Sequence, residues 1–429
     1  MKRIFKLLTI FLLTLEAKAV LRKYRPKIIG ITGSVGKTST KDVLYTVLSQ
    51  KLSVRKSEKS FNTEFGVPLT IIGRSTAWGS AGGWLANLWA GLGLIFFKHD
   101  YPEWLILEMG ADHPGDIEQL TKWVPLDIGI VTGMGEVPVH VEFFPNIDAV
   151  VHEKRFVVSA VKSGGFVLLN TDAPRVAEME GAAKAKVYSY GFDERTDFRA
   201  KDFSIVYENE VPVGVRFSAE HGERALSVEL RGTASAGQAY SALAALACAE
   251  LLGLDSGELV PTLRDHSSTP GRLRLVEGMR GATILDDTYN SSPVASELAL
   301  DTLARIQSSG KKIAVLADMA ELGEHSLSAH EKIGRYVMGR ADMLLTFGAR
   351  AQSIAQSALG AGVPAESVTS FKSREELVEF LKSVMQPTDV VLVKGSQSMR
   401  MEKVVEAIMA EPSRVKELLV RQDEEWKRR

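Results

Sequence analysis

Short apolar runs alternate with segments of helical periodicity along most of the chain, the pattern of an α/β protein built on parallel sheets. Trp104 to Glu108, Ile128 to Thr132 and Phe166 to Asn170 are continuous apolar runs, not alternating ones. They read as strands buried on both faces. An earlier run, Ile28 to Ile31, breaks into a glycine-rich turn and leads to a helical pattern over Thr40 to Gln50. Between Phe192 and Leu230 the period changes to two, which predicts antiparallel edge strands at Val211 to Phe217 and Ala225 to Leu230. An alanine-rich helix, Gln238 to Leu252, follows. Beyond Thr269-Pro270-Gly271-Arg272 the alternation restarts, with strands expected at Ala282 to Asp287, Lys312 to Leu316, Met343 to Phe347 and Asp389 to Val393. The pattern therefore predicts two α/β domains, residues 27–268 with a mainly parallel sheet and residues 269–429 with a Rossmann-like parallel sheet.

Two apolar segments stand outside this alternation. In residues 1–26 an apolar core from Ile4 to Leu15 is flanked by Lys2, Arg3, Lys6, Lys18, Arg22, Lys23 and Arg25, with Glu16 as the one acidic residue. The run is shorter than the ~20 residues needed to cross a bilayer. It predicts a basic helix that lies on the inner membrane surface or packs on its own domain. The uncharged stretch Ala77 to Phe97 is long enough to span, yet it is interrupted by Gly79, Gly82, Gly83, Asn87, Gly91 and Gly93. An interfacial patch or a covered helix is the expectation there.

Composition narrows the function. The 429 residues carry a formal charge of -1, so electrostatics give no ground for nucleic-acid binding. Cys248 is the only cysteine, which excludes an intramolecular disulfide and a cysteine-based zinc site and fits a reducing cytosol.

The chemistry begins at Thr32-Gly33-Ser34-Val35-Gly36-Lys37-Thr38-Ser39, where strand, glycine turn and helix occur in the order of a phosphate-binding loop. Gly33 and Gly36 permit the sharp turn, Lys37 supplies charge for the β- and γ-phosphates, and Thr38 offers a hydroxyl to Mg²⁺. Ser34, Val35 and Ser39 complete the candidate ATP cradle. Glu108 ends a strand, where ligands of α/β sheets gather, and suits the same Mg²⁺. A solvated strand-end carboxylate is the plainer reading of Glu108.

Six ordered segments between Thr32 and Glu402 then resemble the Mur ligases: the cradle, Ser60-Phe61-Asn62-Thr63-Glu64-Phe65-Gly66, Glu108-Met109-Gly110-Ala111-Asp112-His113-Pro114-Gly115, Asp286-Asp287-Thr288-Tyr289-Asn290-Ser291-Ser292-Pro293, Ala317-Asp318-Met319-Ala320-Glu321-Leu322-Gly323, and Val393-Lys394-Gly395-Ser396. The resemblance implies a carboxylate–amine ligase in which ATP phosphorylates a peptide carboxylate, an amine attacks the acyl phosphate, and ADP and phosphate leave. It implies addition of D-alanyl-D-alanine to a muramoyl-peptide precursor of the cell wall. It also implies a second Mg²⁺ held by His140 and by a CO₂-carbamylated lysine at Lys154. Arg272, Asp287, Tyr289 and Asn290 match nucleotide-holding positions of the second domain, and Asn62, Thr63, Lys394 and Ser396 match positions near the substrates. For Lys154 a surface salt bridge, and for Asp287 and Asn290 helix capping, are the structural alternatives.

Two departures from the family pattern bear on substrate. Only the short basic-apolar segment precedes the cradle where the family carries a UDP-binding domain, and Gly237-Gln238 stands where His-Asn is usual, leaving Gln238 to meet adenine. These features suggest work at the membrane on a lipid-linked precursor, or beside a separate partner that carries the UDP site. A Mur-type ligase for another amino-acid or polyglutamate substrate, and a non-catalytic nucleotide-binding module, are the competing functions.

Overall fold

The structure is a computed structural model that describes every residue except Met1, 59–61, 63, 139 and 428–429, and only the backbone of 2–5 and 427. Two sheets organise the chain. The first joins β1 (Lys27–Thr32), β2 (Val54–Lys56), β3 (Trp104–Glu108), β4 (Leu126–Val131), β5 (Val161–Asn170), β6 (Lys186–Gly191), β7 (Phe198–Glu208), β8 (Val211–His221) and β9 (Arg224–Arg231). Their spatial order is β2-β3-β1-β4-β5-β6-β7-β8-β9, parallel up to β7 and antiparallel over β7, β8 and β9. The apolar runs became the parallel strands and the period-two segment became the edge.

Successive residues of β1 point to opposite faces, so Ile29 and Ile31 face one core and Ile28 the other. Helix α2 (Lys37–Leu48) lies on the first face, with Val43, Leu44 and Val47 in that core. Helices α1 (Lys2–Tyr24), α3 (Gly66–Ile72), α4 (Ala81–Phe96), α5 (Asp116–Thr121) and α6 (Ile147–Ser159) follow the same chain order. The opposite core draws on α1, α3, α5 and α6 through Ala17, Val67, Ile117 and Val150. Past the short α7 (Pro174–Ala177), the alanine-rich α8 (Ala236–Leu251) is buried almost throughout, because its small side chains allow close approach to α2. Helix α9 (Ser256–Arg264) closes this half.

The second sheet contains β10 (Arg274–Glu277), β11 (Thr283–Asp287), β12 (Lys312–Ala317), β13 (Met343–Phe347), β14 (Val368–Phe371) and β15 (Val390–Lys394), in the order β10-β11-β15-β12-β13-β14. All neighbours are parallel except β10 with β11. Helices α10 (Pro293–Arg305), α11 (Ser326–Val337) and α12 (Gln352–Gly360) cover one face, and α13 (Arg374–Val384) and α14 (Glu402–Ile408) the other. Segment 265–273 joins the two sheets.

Part of α1 packs on its own domain, as one reading of the N-terminal segment expects, and the rest is exposed. Leu13, Ala17, Val20 and Leu21 are buried, whereas Leu7, Leu8, Phe11 and Leu15 are exposed. Glu16 lies against Gly91 of α4, and the Lys23 ammonium donates to the Leu94 and Ile95 carbonyls at 2.8 and 3.1 Å. A cation supplied by α1 thus satisfies the orphan carbonyls that end α4. Helix α4 keeps Leu85, Trp89 and Phe96 exposed. No helix among the described residues is long and apolar enough to cross a membrane.

Candidate active site

The cradle forms between β1 and α2. Gly33 has φ 140, and a Cβ there would meet Thr132 Oγ1 at 2.1 Å; Gly36 takes the left-handed φ of 91 that starts α2. Thr132, at the end of β4, donates to the Val35 carbonyl at 2.7 Å and so fastens the loop. The Ser34 and Val35 amides are held by the Gly133 carbonyl at 2.9 and 3.0 Å. The Lys37 ammonium folds back on the Gly33 carbonyl at 2.8 Å, and burial lowers its pKa. Thr38 Oγ1 donates to the Glu108 carboxylate at 3.1 Å. Hydroxyl and carboxylate therefore meet, as one Mg²⁺ site requires, and Glu108 is buried, not a solvated strand end.

A cavity of about 290 Å³ gathers Ser34, Lys37, Asn62, Glu108, His140, Arg272, Tyr289 and Asn290, so residues distant in sequence converge. Arg272 stacks on Tyr289 with its guanidinium carbon 4.0 Å from the ring centroid. Its Nε is buried with no partner among the described residues, a donor aimed at an anion. His140, at a left-handed φ of 66, has its Nδ1 2.8 Å from Glu321 Oε2 and its Nε2 3.6 Å from Asp112. The contact with Glu321 crosses between the two sheet units, as does the hydrogen bond from Gly323 N to Glu142 at 3.3 Å.

Lys154 is 4% exposed on α6 and is not a surface salt bridge. Burial, with Lys37 adding repulsion, pushes its pKa down to about 7. A neutral amine is the form that captures CO₂, so the environment fits a carbamate. Its neighbour Glu153 is absorbed elsewhere, accepting from the Gly115, Ile117 and Glu118 amides at 2.9, 2.6 and 2.9 Å. No cluster of three or more His, Cys, Asp or Glu side chains suited to a metal occurs among the described residues. Cations held by Thr38, Glu108, His140 and Lys154 would share their coordination with phosphate oxygens, the usual condition of Mg²⁺.

Several expected contacts take a different form. Gln238 is buried and donates to Ser39 Oγ at 3.3 Å beneath the cradle, away from the cavity walls. Asn170 instead lines a 640 Å³ cavity between the cradle and α10, and its Oδ1 is buried without a partner among the described residues. Lys394, 1% exposed, bonds Asp287 Oδ2 at 2.6 Å and the Asn290 carbonyl at 2.9 Å, and Ser396 Oγ accepts from Ala320 N at 2.8 Å. In this structure Asp287, Lys394 and Ser396 bond to loops around the second sheet and do not line the 290 Å³ cavity. Capping of α10 falls to Ser292, which accepts from Ala295 N, and not to Asp287 or Asn290. Asn62 reaches the cavity, and Thr63 lies outside the described residues.

Sequence reasoning missed Lys41, fully buried 3.9 Å from Glu108 and 3.2 Å from Ser57 Oγ. A lysine four residues after Lys37, hence on the same face of α2, was the available signal. It also missed Arg421, whose guanidinium bonds the Thr288 carbonyl and Glu402 at 3.0 Å and contacts the Tyr289 carbonyl. Nothing local marks that residue, because its partners arrive from the far end of the chain.

A phosphate cradle beside one sheet is faced by an arginine and a tyrosine that follow from the other, the layout of a nucleotide-binding cleft. Family models agree with this: the Mur ligase middle domain matches residues 91–249, and the Mur ligase glutamate ligase domain matches residues 271–397. The chain is 30% identical over 407 residues to the UDP-N-acetylmuramoyl-tripeptide–D-alanyl-D-alanine ligase of Mycobacterium bovis, covering 90% of this chain and 73% of that one. It is 26% identical to the enzyme of that name from Bacillus subtilis, covering 92% and 79%. The crystal structure of the MurF ligase of Thermotoga maritima with ADP superposes with a TM-score of 0.75 at 29% identity, covering 93% and 83%. The chain belongs to the Mur ligase family and is an ATP- and Mg²⁺-dependent, ADP-forming ligase.

Proposed function

We infer that this ligase adds D-alanyl-D-alanine to a muramoyl-peptide carboxylate through an acyl phosphate. The observation that carries the reading is the cavity in which Lys37, Glu108 and Arg272, whose Nε has no partner among the described residues, converge, with Thr38 bonded to Glu108 at its edge. A substrate carboxylate oxygen attacks the γ-phosphorus of ATP and ADP departs. The amine then attacks the acyl carbon, phosphate leaves, and the amine's proton passes to a base. Lys37 exchanges the Gly33 carbonyl for phosphate oxygens, and Arg272, stiffened by Tyr289, meets the charge that develops on the transferred group. Thr38 and Glu108 would hold one Mg²⁺, and His140 with a carbamylated Lys154 a second, and the ions would neutralise part of that charge. Asn170 offers an unpartnered amide oxygen to the adenine amino group.

The test is ADP release measured with a panel of muramoyl peptides and dipeptide amines. Release that requires both a muramoyl-tripeptide carboxylate and D-alanyl-D-alanine supports the reading. Release driven instead by glutamate or another amino acid overturns the substrate.

We place the enzyme in the cytoplasm, against the inner membrane face. Exposed Leu7, Leu8, Phe11 and Leu15 of α1, with Trp89, Phe96 and Phe97 at α4, are accompanied by exposed Lys6, Arg22, Lys23 and Lys98, a combination that suits an anionic bilayer surface. Wild type that fails to co-sediment with phosphatidylglycerol vesicles overturns that placement, and loss of co-sedimentation in the Phe11→Glu/Trp89→Glu variant supports it.

A further inference from the structure

A cavity of about 1250 Å³ lies beside the reaction centre and not within it. Much of its wall comes from α1, the start of α3, the segment entering α4 and the C-terminal tail, which lie outside the nucleotide cavity. It joins that site directly: Asn62, Tyr289 and Gln397 line both cavities, and Thr38 of the cradle lines the larger. A ligand seated there has its far end within reach of the phosphoryl donor.

The lining has a definite chemistry. Phe65, Trp78, Trp84 and Trp426 provide aromatic surfaces. They are organised against one another, Phe65 with Trp84 at 5.6 Å between centroids and Trp78 with Trp426 edge-on at 6.3 Å. Trp78 adopts a left-handed φ of 48, which a large side chain avoids unless its surroundings impose it. What imposes it is local: the Trp84 indole N–H donates to the Trp78 carbonyl at 2.9 Å, and the Trp78 amide donates to Thr76 Oγ1 at 3.3 Å. Strain is thus held at one aromatic of the cavity wall.

Polar groups are interleaved with these rings. Asn62, Glu58, Gln397 and Asp423 share the walls with the tryptophans. A hydrocarbon chain filling the space would strip water from carboxylates and amides without replacing their hydrogen bonds, at a cost of roughly 1–3 kcal/mol for each group. A sugar ring does the opposite, since its C–H face lies on an indole while its hydroxyl and acetamido groups bond carboxylates and amides at the edge.

Resting on the ligase reading above, we propose that this cavity is the seat of the amino-sugar end of the carboxylate substrate. The peptide runs from it past Asn62 and Gln397 to the cradle. The carrier attached to the sugar, nucleotide or lipid, projects toward α1. Trp78 and Trp426 are binding residues for the ring, remote from the reacting atoms.

The experiment compares full-length wild type with Trp78→Ala, Trp426→Ala and the conservative Trp78→Phe, using a free muramoyl-peptide, its UDP-linked form, its lipid-linked form and the same peptide without sugar. The expected result is a KM roughly tenfold higher for every sugar-bearing acceptor in the alanine variants. KM for ATP, kcat and KM for the sugar-free peptide should be unchanged, with recovery in Trp78→Phe. The carrier form with the lowest wild-type KM identifies what lies toward α1. An equal rise for the sugar-free peptide, or no rise for the sugar-bearing ones, overturns the assignment. If wild type turns over none of the muramoyl acceptors, the ligase reading fails instead, a separate outcome.

Discussion

Lys394 and Asp287 form an ion pair of 2.6 Å at the carboxyl ends of the adjacent strands β15 and β11, with Lys394 1% exposed. The pair also draws in the Asn290 carbonyl, so one ammonium fixes the loop that carries Tyr289. Lys394→Met leaves the Asp287 carboxylate buried without its cation, and the expected loss is roughly 3–5 kcal/mol in chemical denaturation. Replacing both residues, Lys394→Met with Asp287→Leu, should recover most of that loss. A single variant as stable as wild type would show that the pair does not hold the loop.

The carbamate proposed at Lys154 is testable without turnover. Protein equilibrated with ¹³C-bicarbonate should show a carbamate carbon resonance that is lost in Lys154→Ala. Turnover in that variant should fall by at least about a hundredfold, the scale on which metal sites respond to loss of supporting groups, and added bicarbonate should not restore it. A resonance that survives the substitution assigns the carbamate to another lysine, with buried Lys41 and Lys394 and half-buried Lys37 the alternatives.

Asn170 should decide which base is accepted. Its unpartnered Oδ1 faces the cavity between the cradle and α10, whereas Gln238 is spent on Ser39. Asn170→Ala is expected to raise KM for ATP roughly tenfold and to narrow discrimination against GTP, because an adenine amino group loses an acceptor worth about 1 kcal/mol or more. Competition between ATP and GTP in steady-state assays measures it. Unchanged discrimination would place the base elsewhere.

These residues mark how far sequence carried the structure. The parallel strands were legible because strands buried on both faces need unbroken apolar runs, and Trp104 to Glu108 matches β3 residue for residue. The cradle was legible for a related reason, since its glycines, lysine and threonine are contiguous and each has a local task. Asn170 and Arg421 were not, because their partners come from other elements and their meaning lies in a cavity wall or a tail crossing. Lys394 was found, but matching its position could not reveal that Asp287, more than a hundred residues earlier in the chain, takes up its charge.

Glu16 gives a pH dependence. It sits against Gly91 where α1 meets α4, and burial pushes its pKa from the usual carboxylate range up to about 7. A carboxyl whose folded pKa is raised binds more protons folded than unfolded between about pH 4.5 and pH 7. Stability from this group is therefore fully present below that window and is lost as pH rises through 7. Glu16→Gln, neutral at every pH, should melt at a higher temperature than wild type at pH 8, and the gap should close near pH 5. Hydrogen exchange should localise the difference to α4, since Lys23 of the same helix holds the Leu94 and Ile95 carbonyls. Gly91→Ala acts at the same contact by another route, because its Cβ would stand 2.1 Å from Glu16 Oε2, and it should loosen α4 at both pH values. A pH-independent gap for Glu16→Gln would mean that the carboxylate stays hydrated, and the junction of α1 with α4 would then be indifferent to its charge.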